Sequence, residues 1–145
     1  MLNPYGGDLC PPGFGEHHLF PKDQEPVRIN LEHGLWIREL LDMFDVTWAT
    51  SWNGDANRLL APLLRIPVLP VISMPPAPFQ PSAKVPLIEA FSQQMPAVWI
   101  DDLHTAAARA WRDNRRAPTA LITVDPAIGL TRECIDQALA WAETL

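Results

Sequence analysis

The sequence is poor in cysteine and in basic residues, and it has no long apolar run. Its two cysteines, Cys10 and Cys134, lie far apart in the chain, so two reduced thiols are expected rather than a disulfide framework. No stretch approaches the roughly 20 apolar residues that a transmembrane helix needs. The first residues show neither the basic region nor the apolar region of a secretory signal. These absences predict a cytoplasmic protein with no membrane partner.

Basic charge is scarce, since 11 Lys and Arg residues stand against 17 Asp and Glu residues. The formal net charge of -6 disfavours nucleic acid as a partner, because a non-specific nucleic-acid binder needs a basic field. One local basic group, Arg109, Arg112, Arg115 and Arg116, could contact phosphate or nucleic acid. Basic residues at the end of a helix more commonly complement the helix dipole.

The composition that remains is globular, with 48% hydrophobic residues in a chain of 145, which suits one domain over residues 1–145. Many of the 16 prolines lie in two regions, residues 11–26 and 67–86, which we interpret as loops. Glycines and prolines, Pro21 among them, interrupt residues 1–30 every few positions. This first part is therefore predicted to be an irregular N-terminal loop.

Apolar periodicity after residue 30 predicts helices that alternate with strands. The predicted helices cover residues 31–44 with Asn30 as N-cap, about 55–64 with an interruption at Pro62, 84 onward, 103–116 and 131 onward. The predicted strands cover residues 46–50, 68–72, 97–101 and 120–124. Pro70 assigns the second of these to a sheet edge, because proline cannot donate to a central ladder. The alternation predicts an α/β fold with a mainly parallel sheet.

Polar residues at the ends of these elements are the candidates for chemistry. Thr50 and Ser51 end one strand, Lys84 opens a helix, and Asp101 and Asp102 end another strand. The ends of parallel strands share one sheet edge, so these groups are expected to converge. A hydroxyl can bond a phosphate oxygen, an ammonium can neutralise a phosphoryl group, and carboxylates can hold Mg²⁺. Together they predict a magnesium-dependent phosphate site.

Each feature also has a simpler interpretation. A Thr-Ser pair after a strand commonly forms a turn, a single lysine is commonly solvated, and Asp residues before a helix are commonly caps. Zinc is disfavoured because the histidines and cysteines show no structural-site spacing. Trp52 lies beside the hydroxyl pair and is the tryptophan most suited to touch a ligand. Only the ordered combination favours the functional interpretation.

The order of these motifs resembles the haloacid-dehalogenase-like (HAD-like) phosphatase superfamily over nearly the whole chain. Thr50 matches the second motif of the family, a Thr or Ser after a hydrophobic strand, and Ser51 is the alternative match. Lys84 matches the third motif, a lysine before or within a helix, and Asp101 and Asp102 match the fourth, acids after a strand. The resemblance implies a Rossmann-like sheet with helices on both faces, and Mg²⁺ held by Asp101 and Asp102. It implies Thr50 and Lys84 as catalytic groups. Ser51, Trp52 and Asn3 are then the candidates for substrate binding.

The departure from the family is its first motif, DxDG, which supplies the nucleophilic Asp. The chain opens MLNPY, which resembles the tail of that motif, so no aspartyl-phosphate route is expected in this chain. We expect the natural protein to begin upstream, with the motif on a central strand between residues 46–50 and 97–101. Loss of that first strand would leave two apolar edges open, predicting marginal stability or a homodimer that exchanges a strand.

No cap domain is visible in the sequence, so the site is expected to be open and the phosphorylated substrate to be of macromolecular size. A small phosphorylated substrate is the alternative. The leading hypothesis is a HAD-like Mg²⁺-dependent phosphohydrolase domain that is inactive in this chain. The alternative is a non-catalytic phosphate-binding or protein-interaction module of the same ancestry. A third hypothesis, a nucleic-acid-processing accessory factor, depends on Arg112 and Arg116.

Overall fold

The computed structural model describes residues 1–20 and 25–145, and it contains both helices and strands. The strands are β1 (Gly15–His17), β2 (Val27–Ile29), β3 (Ala97–Asp101) and β4 (Thr119–Thr123). The helices are α1 (His33–Leu41), α2 (Ala61–Leu64) directly after a π-helical turn (Ala56–Leu60), α3 (Lys84–Ser92) after a 3₁₀ turn (Pro81–Ala83), α4 (Ala106–Asn114) and α5 (Arg132–Ala142).

The strands of the described residues form two small sheets, so the fold is mixed α/β. β1 and β2 are antiparallel, and β3 and β4 are parallel with register from Ala97 opposite Thr119 to Asp101 opposite Thr123. A further parallel bridge joins Trp48 to Val71. The strands predicted at residues 97–101 and 120–124 are confirmed to within one residue, and they form one parallel pair. One continuous Rossmann-like sheet stays a prediction.

The predicted N-terminal loop contains more structure than the sequence indicated. β1 and β2 both lie within residues 1–30, and Val27 and Ile29 bury their side chains in the core. Three-residue strands are too short for alternation to be recognised, which explains the wrong assignment. The predicted interruption at Pro21 lies outside the described residues.

The strands predicted at residues 46–50 and 68–72 are not formed in full, and these two segments share only the parallel bridge between Trp48 and Val71. Trp48 donates its backbone N–H to the Pro70 carbonyl and accepts from the Ile72 N–H, both at 2.9 Å. Pro70 has no N–H with which to continue the ladder, so the pairing stops there. The interruption predicted at Pro62 is confirmed, because that proline lies in the first turn of the four-residue helix α2.

Side-chain caps set where several helices begin. Thr131 and Thr105 accept hydrogen bonds from the N–H groups of Cys134 and Ala108, which starts α5 and α4. The Asn30 side chain accepts from the Glu32 N–H in a turn before α1, so that helix begins at His33, later than predicted. Helix α3 begins at Lys84, the residue predicted to open it.

The main core lies between α1, α2, α5 and β4, and a smaller cluster of Ile88, Trp99 and Ala108 lies under α3 and α4. Helix α1 packs so closely on α2 that a Cβ on Gly34 would stand 2.0 Å from the Leu64 carbonyl oxygen. Among the described residues, no helix combines the length and apolar character needed to cross a bilayer.

Candidate functional site

A cavity of about 960 Å³ lies between residues 46–50 and strand β3. Every residue from 43 to 52 and from 95 to 103 lines it. All the site residues predicted from the sequence also line it: Asn3, Thr50, Ser51, Trp52, Lys84, Asp101 and Asp102. The structure therefore brings to one cavity residues that are far apart in the chain.

The best-defined part of the site is a buried ion pair between Lys84 and Asp101. Lys84 Nζ lies 2.7 Å from Asp101 Oδ2, and the two side chains are 17% and 12% exposed. The Trp99 indole N–H donates to the same oxygen at 3.1 Å, and the Asp102 backbone N–H donates to Oδ1 at 2.8 Å. Three donors thus hold the Asp101 carboxylate at the end of β3.

This environment stabilises the charged form of Asp101. Burial alone would raise the pKa of Asp101, but the charge and hydrogen bond of Lys84, together with the bonds from Asp102, outweigh burial and lower the pKa. The carboxylate is therefore ionised at neutral pH. It is already neutralised by Lys84 before any ligand enters.

Asp102 has a different neighbourhood, formed by the first residues of the chain. Its Oδ2 lies 3.6 Å from the ammonium of Met1. Tyr5 is largely exposed, and the partial burial of its phenol together with the nearby negative charge of Asp102 raises the pKa of Tyr5. Tyr5 therefore stays protonated at neutral pH and can donate to an oxygen at this end of the cavity.

The hydroxyl side of the cavity is organised as a turn. Thr50 Oγ1 accepts from the Trp52 N–H at 3.3 Å, and the Thr50 carbonyl accepts from the Asn53 N–H. The Trp52 ring packs edge-to-face on Phe20 with centroids 5.0 Å apart. These contacts agree with the simpler interpretation of the Thr-Ser pair as a turn after a strand. Thr50 and Ser51 nevertheless line the cavity.

Asn3 lines the cavity and also has a structural contact. Its Oδ1 accepts the Arg28 backbone N–H at 2.9 Å, which ties the first residues to β2. Three of the four arginines of the basic group contact protein partners: Arg109 donates to the His104 carbonyl, Arg112 pairs with Asp113, and Arg115 pairs with Glu89. Those contacts support the dipole and packing interpretation of this group.

The fit of Mg²⁺ to these residues is partial. In the described part of the chain, no cluster of three or more His, Cys, Asp or Glu side chains could hold a metal ion. Mg²⁺ is commonly held by one or two protein carboxylates with several waters and substrate phosphate oxygens, so two adjacent aspartates suffice in principle. Asp101 would have to exchange one of its three hydrogen bonds, whereas Asp102 has its ammonium partner at 3.6 Å. Asp102 is thus the more available ligand.

Sequence reasoning missed three contributors to the site: the Trp99 indole, the Tyr5 phenol and the Met1 ammonium. Trp99 and Asp101 are two positions apart on β3, so the period of a strand places both on one face and could have identified Trp99. Met1 and Tyr5 lie in a segment without periodicity, where no sequence signal connects them to Asp102.

No family model, curated protein or solved structure matches this chain.

Proposed function

We propose that this chain is the scaffold of a Mg²⁺-dependent phosphohydrolase of the HAD-like type, with a Rossmann-like parallel sheet, acting in the cytoplasm. The observation that carries the proposal is the meeting of Thr50, Lys84 and the two aspartates at one cavity, although 51 positions separate Thr50 from Asp101. In an open α/β sheet, the carboxyl ends of the strands are where ligands bind. The open cavity suits a phosphate on a large substrate.

Each side chain has a role in this proposal. The Lys84 ammonium neutralises a phosphoryl oxygen, and the Thr50 hydroxyl donates a hydrogen bond to another. Asp101 fixes the Lys84 ammonium at the end of β3 by the 2.7 Å contact. Asp102, with Asp101, would hold Mg²⁺, which when bound would withdraw charge from the phosphate oxygens. Ser51, Trp52 and Asn3 would border the substrate.

The chain as given is not expected to turn over a phosphate ester. Among the described residues, the side-chain carboxylates that line the cavity are those of Asp45, Asp101 and Asp102. Asp45 precedes residues 46–50 and is therefore at the opposite end from Thr50, and the other two carboxylates are engaged by cations. A covalent route needs a further carboxylate that is free to attack phosphorus.

The test is hydrolysis of an aryl phosphate with Mg²⁺ by a version of the protein extended upstream of Met1 with the residues encoded in frame. Turnover that is lost in Asp101→Asn and retained in the exposed-site control Asp113→Asn supports the proposal. Circular dichroism verifies that each variant is folded, and Thr50→Val provides a second, milder test. Absence of turnover at any length, in folded protein, overturns the proposal.

A second candidate is a non-catalytic phosphate-binding or protein-interaction module. The three hydrogen bonds to the Asp101 carboxylate favour it, because this carboxylate is arranged to orient Lys84 rather than to react. Titration of the chain with inorganic phosphate, monitored by calorimetry, tests this candidate. Binding that is weakened in Lys84→Met and unaffected in Arg58→Met would support it, and no binding by the folded chain would contradict it.

A further inference from the structure

The cavity between residues 46–50 and β3 reaches from the surface into the main core. Four of the side chains that line it are core residues no more than 7% exposed: Ile37, Leu40, Leu60 and Leu69. Its volume of about 960 Å³ far exceeds that of a packing defect and lies within the range of small-molecule sites, roughly 300–1,000 Å³. A small molecule can fill a space of this depth, whereas the surface of a folded partner could only cover its opening.

Exposed apolar side chains are concentrated at this cavity. Among the described residues, six of the eleven large apolar side chains that are exposed to solvent line it: Tyr5, Met43, Phe91, Met95, Leu103 and Leu145. A group of exposed apolar side chains around one cavity is typical of a ligand-binding surface. The opening and the interior therefore both favour an apolar ligand.

The two ends of the cavity differ in chemistry. Lys84, the first residue of α3, contacts Asp101 at the carboxyl end of β3. Helix α3 therefore runs back along the strand, so that residues 91–97 lie near the amino end of β3. The polar groups of Thr50, Lys84 and Asp101 belong to one end. The side chains that line the other end are apolar and include Phe44, Val46, Phe91 and Met95.

The charges in the lining favour an uncharged ligand when no metal ion is bound. Among the described residues, the charged side chains that line the cavity are Lys84, Asp45, Asp101 and Asp102. Lys84 already pairs with Asp101 at 2.7 Å, so an added anion would meet an excess of negative charge. An added cation would compete with Lys84 for the same carboxylates. An uncharged head group meets neither cost.

Hydrogen-bond donors remain at the polar end for such a head group. An ammonium has three hydrogens, and Lys84 uses one of them on Asp101. The Thr50 oxygen accepts from the Trp52 N–H, which leaves its own hydrogen to be donated. Both groups can therefore donate to the oxygen of a ligand.

We propose that this cavity binds an elongated, uncharged apolar molecule that carries a hydroxyl group at one end. The hydroxyl lies beside Lys84 and Thr50, and the apolar chain follows β3 toward Phe91 and Met95. The five residues of β3 span about 13 Å, which sets the length of the apolar part. The proposal does not depend on phosphate chemistry or on Mg²⁺.

A series of straight-chain primary alcohols, from n-butanol to n-dodecanol, tests the proposal in buffer without Mg²⁺ or phosphate. Binding is followed by tryptophan fluorescence, because Trp48, Trp52, Trp99 and Trp141 line the cavity. The affinity should rise about fourfold for each added methylene group and level off once the chain spans the cavity. Octanoate and octylammonium should each bind about tenfold more weakly than n-octanol, because their charges must be desolvated.

Two matched variants locate the bound chain. Ala142→Phe adds a large side chain to the cavity wall, whereas Ala107→Phe adds the same side chain at an exposed position of α4 that does not line the cavity. Ala142→Phe should weaken the binding of n-decanol by about tenfold, since it occupies part of the space. Ala107→Phe should leave this affinity unchanged. Circular dichroism verifies that both variants are folded.

Four results would overturn the proposal. The first is an affinity that does not depend on chain length in the unmodified protein, and the second is tighter binding of octanoate than of n-octanol. The third is equal weakening in the two folded variants. The fourth is a dimer that dissociates as the alcohol binds, measured by sedimentation, since a second copy would then be the natural occupant. The hydrolysis assay for the proposed phosphatase is independent of all four.

Discussion

The two sides of the cavity are built from similar sequence but reach different degrees of order. Residues 97–101 form a ladder of five pairs with β4, whereas residues 46–50, also β-branched and aromatic, form one bridge to Val71. The partner of the first has no proline within its strand, while the partner of the second contains Pro70. Strand propensity is thus limited by the neighbour that must supply hydrogen bonds.

The end of β3 and the packed region around α1, called the α1 side below, bury titratable groups in opposite ways. Asp101 is buried as a charge, with Lys84 as its counter-ion. His33 in α1 is fully buried as a neutral ring, its Nε2 at 2.9 Å from the Leu130 carbonyl, and burial lowers its pKa to about 4. One side therefore depends on charge pairing and the other on close packing, and the following predictions probe that difference.

The largest effect is expected from Gly34→Ala on the α1 side. The new Cβ would lie 2.0 Å from the Leu64 carbonyl oxygen, so α1 and α2 must separate. Overpacking against backbone should outweigh the roughly 1 kcal/mol gained in helix propensity. We expect a net loss of about 4 kcal/mol in the free energy of unfolding, measured with urea.

Gly54→Ala is the matched control for this substitution, because nothing lies within 4 Å of a Cβ at Gly54. Its effect should stay within about 0.5 kcal/mol. Similar losses in the two variants would show that the contact between α1 and α2 does not determine the stability of this side.

Lys84→Met tests the charge-paired side. Removing the ammonium leaves the Asp101 carboxylate buried without a counter-ion, so the free energy of unfolding should fall by about 3 kcal/mol. The double variant Lys84→Met, Asp101→Asn should recover most of this loss, because no buried charge remains. Arg58→Met, which breaks an exposed pair with Asp55, should cost less than about 1 kcal/mol. If the double variant is no more stable than Lys84→Met, charge pairing is not what stabilises β3.

The acid side of this comparison was more predictable from sequence than the other. An apolar run that ends in Asp101 and Asp102 predicts β3 and its polar end, and Lys84 follows prolines that place it at the start of α3. Residues 46–50 were predicted to form a whole strand, but only Trp48 forms a bridge. The length of that pairing depends on Pro70, which lies in a partner segment distant in the sequence. Tyr5 and Met1 contribute to the site through tertiary proximity that neither period nor spacing encodes, whereas the two-residue period of β3 could have identified Trp99.

Lowering the pH should weaken the α1 side through His33. The unfolded chain binds a proton at His33 below about pH 6.5, whereas the folded chain does so only near pH 4. The unfolded state thus binds more protons between these values, and stability falls as the pH falls. The His33 contribution should reach about 2 kcal/mol by pH 5.

Urea unfolding at pH 7 and pH 5 measures the His33 contribution as the difference between the protein and His33→Gln. Burial also lowers the pKa of His104, so part of the pH dependence should persist in this variant. The exposed-site control His18→Gln should retain the whole pH dependence. An unchanged pH dependence in His33→Gln would contradict the assignment.

The smallest effect in stability, and the most direct test of the comparison, is expected from Pro70→Val. In the register set by the Trp48 bridge, the nitrogen of residue 70 faces the Val46 carbonyl, and proline has no hydrogen to donate there. The substitution should add one ladder hydrogen bond, worth about 1 kcal/mol, and lose a similar amount through greater freedom of the unfolded chain. The net change in unfolding free energy should stay within about 0.5 kcal/mol.

The informative measurement for Pro70→Val is therefore hydrogen exchange of the new amide at position 70. Slow exchange there, with fast exchange of the new amide at position 67 in the control Pro67→Val, would show that Pro70 keeps this ladder short. Exchange as fast as in an unstructured peptide would show instead that missing support from the cavity side of residues 46–50 limits the strand, since a strand without support on that side is held less firmly in register.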